Sequence, residues 1–139
     1  AEYRRRAREM GLGPQDVIFT GKVPYEDAPH HLALGDIAVA PKLSATEGSG
    51  KILNYMAMGL PVVAYDTQVS REYMNALGVY ATPLGDVRGL AQALALLVRN
   101  PVWGRQLGEK LRARAQRHFS WDRMGRQLMR LYQKLWGEM

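Results

Sequence analysis

The sequence predicts an α/β domain: a Rossmann-like parallel sheet with flanking helices, followed by a C-terminal helical extension. Three observations lead to this prediction. Short, wholly apolar runs alternate with longer amphipathic segments, and runs of this kind form strands that are covered on both faces of a sheet. Glycine or proline marks most of the junctions between segments. With 139 residues, 47% of them hydrophobic, the chain can bury the core of one domain.

The N-terminal part predicts two helices separated by a strand. Residues 1–10 have a helical composition, and the glycines and proline that follow would end this helix. We expect a strand at Val17–Thr20. A second helix is expected over Tyr25–Leu34, with Gly35 as its C-terminal cap.

The central part predicts strands and helices in strict alternation. In chain order these are the strand Ile37–Ala40, the helix Gly50–Met58, the strand Pro61–Tyr65, the helix Ser70–Leu77 and the strand Val79–Thr82. Strand–helix–strand units take right-handed crossovers, which make neighbouring strands parallel.

Three further helices are predicted at the C-terminal end. Asp86 and Ser120 have the side chains of N-caps for the first and third, and Pro101 suits the first turn of the second. The third helix carries an apolar stripe formed by Met124, Leu128, Leu131 and Leu135. The residues expected to anchor these helices on the sheet are Trp103, Trp121 and Trp136. We expect residues 1–100 to form the Rossmann-like domain and residues 101–139 to pack on it.

The chain opens inside a predicted helix, with no strand before it. A doubly wound sheet normally has further strands, so we expect upstream strands to be missing from this chain. Their absence would expose an edge of the sheet, and an exposed edge favours self-association of the fragment.

Composition excludes several classes of protein. The chain has no cysteine, so disulfides and thiolate metal sites are excluded. Its three histidines, His30, His31 and His118, are not spaced with carboxylates as a zinc or iron site requires. We see no signal peptide and no apolar run near the roughly 18 residues of a membrane span, and therefore expect a cytoplasmic protein.

The net charge of +6 is concentrated in the C-terminal helices. Ten of the 19 Lys and Arg residues, but only three of the 13 Asp and Glu residues, lie in residues 99–139. Two interpretations stay open: a solvated helix face, or a surface that contacts phosphates, a membrane periphery or another acidic partner. We expect no nucleic-acid partner.

The loop after the strand Ile37–Ala40 is the candidate ligand site. In an open parallel sheet, ligands bind beyond the carboxyl ends of the strands. This loop contains the sequence Glu-Gly-Ser-Gly at residues 47–50 and leads directly into a helix. Glycines allow close approach of a ligand, the free amides of the first helical turn attract an anion, and Lys51 adds positive charge. The pattern indicates a diphosphate.

The phosphate-binding loop of NTPases does not account for this segment. Its pattern G-x-x-x-x-G-K-[ST] would require glycine at Ala45 and serine or threonine at Ile52. Both positions fail.

The segment Asn54–Ala64, NYMAMGLPVVA, resembles the signature of a large family of retaining glycosyltransferases that includes sucrose synthases, glycogen synthases and mannosyltransferases. That signature is a glutamate, a glycine-rich turn and a second glutamate, followed by Ala/Tyr-Met-Ala-x-Gly-x-Pro-Val-Val. The flanks agree: Val17–Val23 is similar to the family's base-binding strand and turn, Tyr25–Ala40 to its helix and short strand, and Phe119–Trp121 to the start of its last helix. The chain is thereby identified as the C-terminal, donor-binding domain of a GT-B glycosyltransferase of family 4 (group 1).

The resemblance implies a role for each site residue. The residues implied to contact the nucleotide base through main-chain groups are Gly21, Lys22 and Val23. Glu47 would hold hydroxyls of the donor sugar, as the catalytic residue. The residues implied to contact the sugar and the diphosphate are Gly48, Ser49, Gly50 and Lys51. Asn54 takes the place of the glutamate that binds the ribose hydroxyls.

Two positions depart from the family pattern. Asn54 is an amide, which can hydrogen-bond a diol but without the strength that a carboxylate's charge provides. Glu47 lies one residue closer to Asn54 than the usual separation of the two acids, which leaves Thr46 at the expected place. Whether Glu47 or Thr46 takes the first acid's role therefore stays open.

The resemblance implies transfer of a sugar from a UDP-, GDP- or ADP-sugar to an acceptor held by a missing N-terminal domain, with retention of the anomeric configuration. Such a protein positions the donor and stabilises negative charge on the leaving diphosphate. We expect no cofactor and no metal, because the sequence has no Asp-x-Asp motif. The full-length protein would be a hexosyltransferase, and the 139 residues alone would be inactive.

Two other functions stay open. A nucleotide-sugar epimerase shares this architecture but needs acid–base groups near the donor sugar, where this sequence offers only Glu47. A non-catalytic α/β interaction module would use the basic helices as its binding surface. The sequence does not determine the base, the sugar or the acceptor.

Overall fold

A computed structural model describes residues 2–44 and 46–137. The chain forms two compact units, residues 1–31 and residues 32–139.

The first unit begins with helix α1, Glu2–Glu9. Ion pairs one turn apart support this helix, including Arg6 with Glu2 at 2.6 Å. Gly11 takes a positive φ of 76° after the helix, as its predicted stop requires. A 3-10 turn at Tyr25–Asp27 then leads into α2, Ala28–Leu32. The helix expected over Tyr25–Leu34 is therefore present but shorter, and the Gly35 amide closes it on the Leu32 carbonyl oxygen at 3.1 Å.

The strand expected at Val17–Thr20 is wrong. These residues are not paired with any strand in the described part of the chain. Ile18 is 80% exposed, and the Phe19 carbonyl oxygen accepts a hydrogen bond from the Arg4 guanidinium at 3.1 Å instead of from a neighbouring strand. An apolar run becomes a strand only where a partner strand satisfies its backbone, and the apolar pattern alone does not supply one.

The second unit contains a parallel sheet of three strands in the order β1–β2–β3. The strands are β1 (Ala38–Ala40), β2 (Val62–Tyr65) and β3 (Val79–Ala81). Ala40 pairs with Ala64, and Ala64 with Tyr80, so the carboxyl ends of all three strands meet at one edge. The predicted Rossmann-like fold class is confirmed.

Helices α3 (Gly50–Ala57), α4 (Gln68–Met74) and α5 (Val87–Arg99) connect and follow the strands. Thr67 and Asp86 cap α4 and α5: their side-chain oxygens accept hydrogen bonds from the amides of Ser70 at 3.1 Å and Arg88 at 3.0 Å. A 3-10 turn at Asn75–Leu77 completes α4. The alternation predicted from the sequence is present here with boundaries shifted by one or two residues.

The core lies on both faces of the sheet, because successive side chains of β2 point to opposite sides. One cluster joins Val62 and Ala64 with α3, α4 and part of the sixth helix; the other joins Val63 with α5. The largest fully buried side chains are Ile52, Met56, Met74, Leu97, Leu111, Val62 and Val63.

Helix α6, Pro101–Phe119, crosses the turn between α3 and β2. Gly59 in this turn has a φ of 73° and ends α3, as predicted. A Cβ on Gly108 would lie 2.8 Å from the carbonyl carbon of Gly59 and 3.2 Å from the nitrogen of Pro61. The backbones therefore touch, and Leu107 and Leu111 of α6 reach the two core clusters.

Helix α7, Trp121–Gly137, has no buried residue. Ser120 caps it as predicted: its hydroxyl accepts from the Arg123 amide at 3.4 Å. The prediction that tryptophans anchor the last helices is wrong for α7, because Trp121 and Trp136 are 90% and 79% exposed. Trp103 of α6 is 38% exposed and is not among the residues of the two core clusters. The apolar stripe exists, but within the described chain it is not covered.

Candidate functional site

The predicted ligand loop lies between β1 and α3, at the carboxyl edge of the sheet. It opens on a cleft of about 520 Å³ that Ala40, Lys42 and the first turn of α3 line together. Of the predicted donor-binding residues, the cleft brings together Gly48, Ser49, Gly50 and Lys51. This is the position at which open α/β sheets bind their ligands.

The start of α3 presents amide groups to this cleft. Ser49 occupies the N-cap position and is buried, but its side chain makes no capping hydrogen bond. Helix geometry leaves the amides of the first turn without intrahelical partners, and those of Gly50 and Lys51 belong to this set. The Lys51 side chain is exposed at the same end. Partial positive charge from the helix and a full charge from the lysine together favour a phosphate group.

Gly50 is not required by the packing of the chain. Its φ is not positive, and no described atom would lie within 4 Å of a Cβ built on it. An alanine would therefore fit as well in the unliganded chain. Since Gly50 lines the cleft, the missing side chain leaves room for a ligand.

Gly48, in contrast, is held tightly by its surroundings. A Cβ on Gly48 would lie 3.2 Å from the hydroxyl oxygen of Tyr73, a residue of α4. The Gly48 carbonyl oxygen also accepts a hydrogen bond from Lys42 Nζ at 3.0 Å. The loop backbone at Gly48 is thus contacted by two side chains that the sequence did not indicate.

Lys42 also contacts Glu47, the predicted catalytic residue. Its Nζ donates to the Glu47 carbonyl oxygen at 3.2 Å and lies 3.2 Å from the carboxylate Oε2. The Glu47 side chain is 75% exposed. The geometry therefore gives Glu47 an ion-pair partner within the loop and leaves its carboxylate open to solvent; its role toward a donor sugar stays a prediction.

Two further predicted positions lie outside the cleft lining. Asn54 is exposed on α3, one turn beyond Lys51, and the residue next to it, Tyr55, lines the cleft instead. Burial raises the pKa of the Tyr55 phenol. Gly21, Lys22 and Val23 belong to the first unit, where Gly21 has a φ of 74°, and their contact with a base stays a prediction.

Lys42 and Tyr73 were missed because their contacts are made through loop and helix geometry. Lys42 lies two residues after the end of β1, and this position is the only feature of the local sequence that could have indicated it. Tyr73 reaches the loop from a different helix, at a distance along the chain that no short pattern covers.

No group of three or more His, Asp or Glu side chains is placed to hold a metal ion within residues 2–44 and 46–137. The expectation that transfer needs no metal stays a prediction. None of the helices in the described ranges combines the length and hydropathy needed to cross a bilayer.

A parallel sheet covered by helices, with a glycine-containing loop at its carboxyl edge, is the architecture of a Rossmann-like α/β domain. Residues 1–100 match the family described as Glycosyl transferases group 1. The chain belongs to this family, as its signature segment predicted.

Similar proteins agree with this assignment. The chain is 30% identical over 133 residues to a phosphatidyl-myo-inositol mannosyltransferase of Mycobacterium leprae, covering 95% of this chain and 35% of that protein. It is 29% identical over 136 residues to a GDP-mannose-dependent monoacylated alpha-(1-6)-phosphatidylinositol monomannoside mannosyltransferase of Corynebacterium glutamicum, covering 94% and 35%. The structure of a sucrose-phosphate synthase from Thermosynechococcus elongatus matches with a TM-score of 0.88 and 26% identity, covering 99% of this chain and 34% of that one. The chain spans about a third of the length of each of these relatives.

Proposed function

We propose that this chain binds the nucleotide-diphospho-sugar donor of a retaining hexosyltransferase and that the acceptor is held by a further domain. The observation that carries the proposal is the cleft at the start of α3, where uncapped amides and Lys51 converge beside a glycine that the packing does not require. The chain's membership in the glycosyltransferase family supports the same ligand.

In this proposal the cleft acts on the diphosphate. Negative charge grows on the diphosphate oxygens as the bond to the sugar breaks. Amides at the start of α3 and the Lys51 side chain, which line the cleft, would stabilise that charge with little reorganisation. These groups would bind and orient the donor, and positioning of this kind is a large part of catalysis in sugar transfer.

The relatives narrow the donor and acceptor to be tested first. Both curated relatives are named as mannosyltransferases that act on phosphatidylinositol lipids, and the one from C. glutamicum is named as GDP-mannose-dependent. We therefore propose GDP-mannose as the first donor and an inositol phospholipid as the first acceptor to be tested. UDP- and ADP-sugars remain in the panel because the base-contacting residues are a prediction.

Family membership favours the transferase over the two alternatives that the sequence left open, the epimerase and the non-catalytic interaction module. The expected contacts of the basic helices with a membrane periphery or another acidic surface, and the expected self-association, stay predictions.

Isothermal titration calorimetry with GDP, UDP, ADP and their sugars tests the proposal. We expect weak binding of one nucleoside diphosphate by the chain and no sugar transfer by the chain alone. Gly50→Val should reduce the affinity at least about tenfold, since its side chain would occupy donor space, while the thermal midpoint stays unchanged. Gly125→Val, in the exposed face of α7, is the matched control and should leave affinity unchanged.

Absence of binding for all three nucleotides, or equal affinity in the wild-type chain and Gly50→Val, would contradict the proposal. Retention is tested separately in the complete enzyme, by NMR assignment of the anomeric configuration of the newly formed glycosidic bond. An inverted product would exclude a retaining mechanism while leaving donor binding intact.

A further inference from the structure

The ammonium group of Lys42 contacts the loop between β1 and α3 through all three of its N–H donors. A lysine has three N–H donors, and Lys42 Nζ lies within 3.2 Å of three acceptors: the carbonyl oxygens of Glu47 and Gly48 and the carboxylate of Glu47. The backbone at Lys42 is itself fixed, because its amide donates to the Ala40 carbonyl oxygen of β1 at 2.9 Å. The ammonium therefore ties the loop to the end of a core strand.

These contacts fix the direction of two successive peptide groups. In a trans peptide the carbonyl and the following N–H point in opposite directions. Since the Glu47 and Gly48 carbonyl oxygens both face Lys42, the amides of Gly48 and Ser49 both point away from the ammonium. Successive amides that point to the same side form a concave, anion-binding arrangement.

Tyr73 of α4 contacts the same loop at Gly48. Its hydroxyl oxygen lies against the Cα of Gly48, close enough that a Cβ there would be 3.2 Å away. Its ring packs edge-on against Phe119 with centroids 5.6 Å apart. Arg114 of α6 donates to the carbonyl oxygens of Tyr73 at 2.6 Å and Glu72 at 3.0 Å. The position of Tyr73 is thus fixed by contacts with α6.

We propose that Lys42 and Tyr73 are positioning residues that hold the donor loop, residues 46–49, in the conformation that binds a diphosphate. Lys42 acts by orienting the amides of Gly48 and Ser49, and Tyr73 by limiting how far Gly48 can move. Neither residue needs to touch the donor. This inference rests on the proposed function, since it assigns the loop's ligand as a nucleoside diphosphate.

Backbone ¹⁵N relaxation measured by NMR on the ligand-free chain tests the positioning directly. Lys42→Met keeps the side-chain length and removes the charge. It should lower the order parameters of the Gly48 and Ser49 amides from about 0.85, which is typical of rigid backbone, to below about 0.6, because the hydrogen bonds that hold the carbonyl oxygens of the same peptide groups are lost. Lys42→Arg should retain most of the order. Lys110→Met, on the exposed face of α6, is the matched control and should change nothing in the loop.

A double-mutant cycle tests Tyr73. Gly48→Ala should disturb the loop in the wild-type background but much less in Tyr73→Phe, where the opposing hydroxyl is gone. Equal effects in both backgrounds would overturn the role of Tyr73, and unchanged order parameters at Gly48 and Ser49 in Lys42→Met would overturn that of Lys42.

Titration with the nucleoside diphosphate that the wild-type chain binds completes the test. Lys42→Met should weaken binding about tenfold with an unchanged thermal midpoint, and Lys42→Arg should restore it. Lower order parameters in the loop with unchanged affinity would overturn the link to donor binding. If the wild-type chain binds no nucleotide, the proposed function fails, and the relaxation measurements still decide whether the two residues fix the loop.

Discussion

Helices α6 and α7 look alike in sequence but pack in opposite ways. Both are long, at 19 and 17 residues, and both are rich in Arg and Lys. Within the described chain, α6 buries five residues and α7 buries none. The apolar stripe is more regular in α7, so the strength of the hydrophobic pattern does not decide which helix joins the core.

The difference lies in small residues. Gly104 and Gly108 lie one turn apart on α6 and face Pro61 and Gly59, so the α6 backbone approaches the turn after α3 directly. The two glycines of α7, Gly125 and Gly137, both face open space among the described residues. The Gly-x-Pro part of the family signature, Gly59–Pro61, therefore has a packing function here, because α6 packs directly against it.

The largest loss of stability is expected from a side chain placed in the contact between Gly108 and Gly59. Gly108→Val places a branched side chain where the Gly59 backbone lies, and should destabilise the chain by about 4 kcal/mol or more, since α6 must leave its site. Gly125→Val, the matched change in α7, should alter stability by less than about 0.5 kcal/mol, because the site is open and valine and glycine differ little in helix propensity. Urea unfolding followed by circular dichroism measures both. Equal destabilisation at the two positions would mean that α7 is packed as closely as α6.

A smaller effect is expected from leucines on the two helices. Leu111 of α6 is 0% exposed, and Leu111→Ala should cost about 3 kcal/mol because it leaves a cavity. Leu128 of the α7 stripe is 52% exposed, and Leu128→Ala should change stability by less than about 0.5 kcal/mol. The same unfolding experiment compares them in the 139-residue chain. A loss of more than about 2 kcal/mol at Leu128 would show that the stripe is covered in solution.

The smallest expected effect is a change in the pKa of His118, which lies near the junction of α6 and α7. Desolvation lowers the pKa of His118, and the positive charges of Arg114, Arg123 and Arg117 lower it further. The pKa of His118 is therefore lower in the folded chain than in the unfolded chain. The folded state is favoured while the imidazole is neutral, above the unfolded pKa. That contribution to the free energy of unfolding is lost as the pH falls through the folded pKa.

Arg123 is the α7 residue in this set, so Arg123→Ala should raise the His118 pKa toward its usual value. The shift is measured by NMR titration of the imidazole protons, with Arg130→Ala as a control farther along α7. An unchanged pKa in Arg123→Ala would indicate that the start of α7 does not stay beside His118.

The second unit was predictable because its signals are local. The apolar runs of β2 and β3, the N-cap Asp86 and Gly59 each act within a few residues of the element that they mark. They placed these elements well. Val17–Thr20 has the same apolar run but is unpaired in the described chain, since pairing depends on another strand.

The candidate site divides in the same way. The glycines and the helix start of the loop follow a local pattern, so the sequence indicated Gly48–Lys51. Lys42 and Tyr73 were missed, because their contacts depend on how the loop returns toward β1 and how α4 faces it. The tryptophan anchors failed for a related reason: a large apolar side chain signals that burial is favourable and does not specify a partner.

Diphosphate binding at the first turn of α3 is the central element of the proposed function. The most direct test is an NMR titration of the chain with GDP, followed through the backbone amides. We predict the largest chemical-shift changes at Ser49, Gly50 and Lys51, and their loss in Gly50→Val. Saturable GDP binding that leaves these amides unshifted and moves others would contradict it.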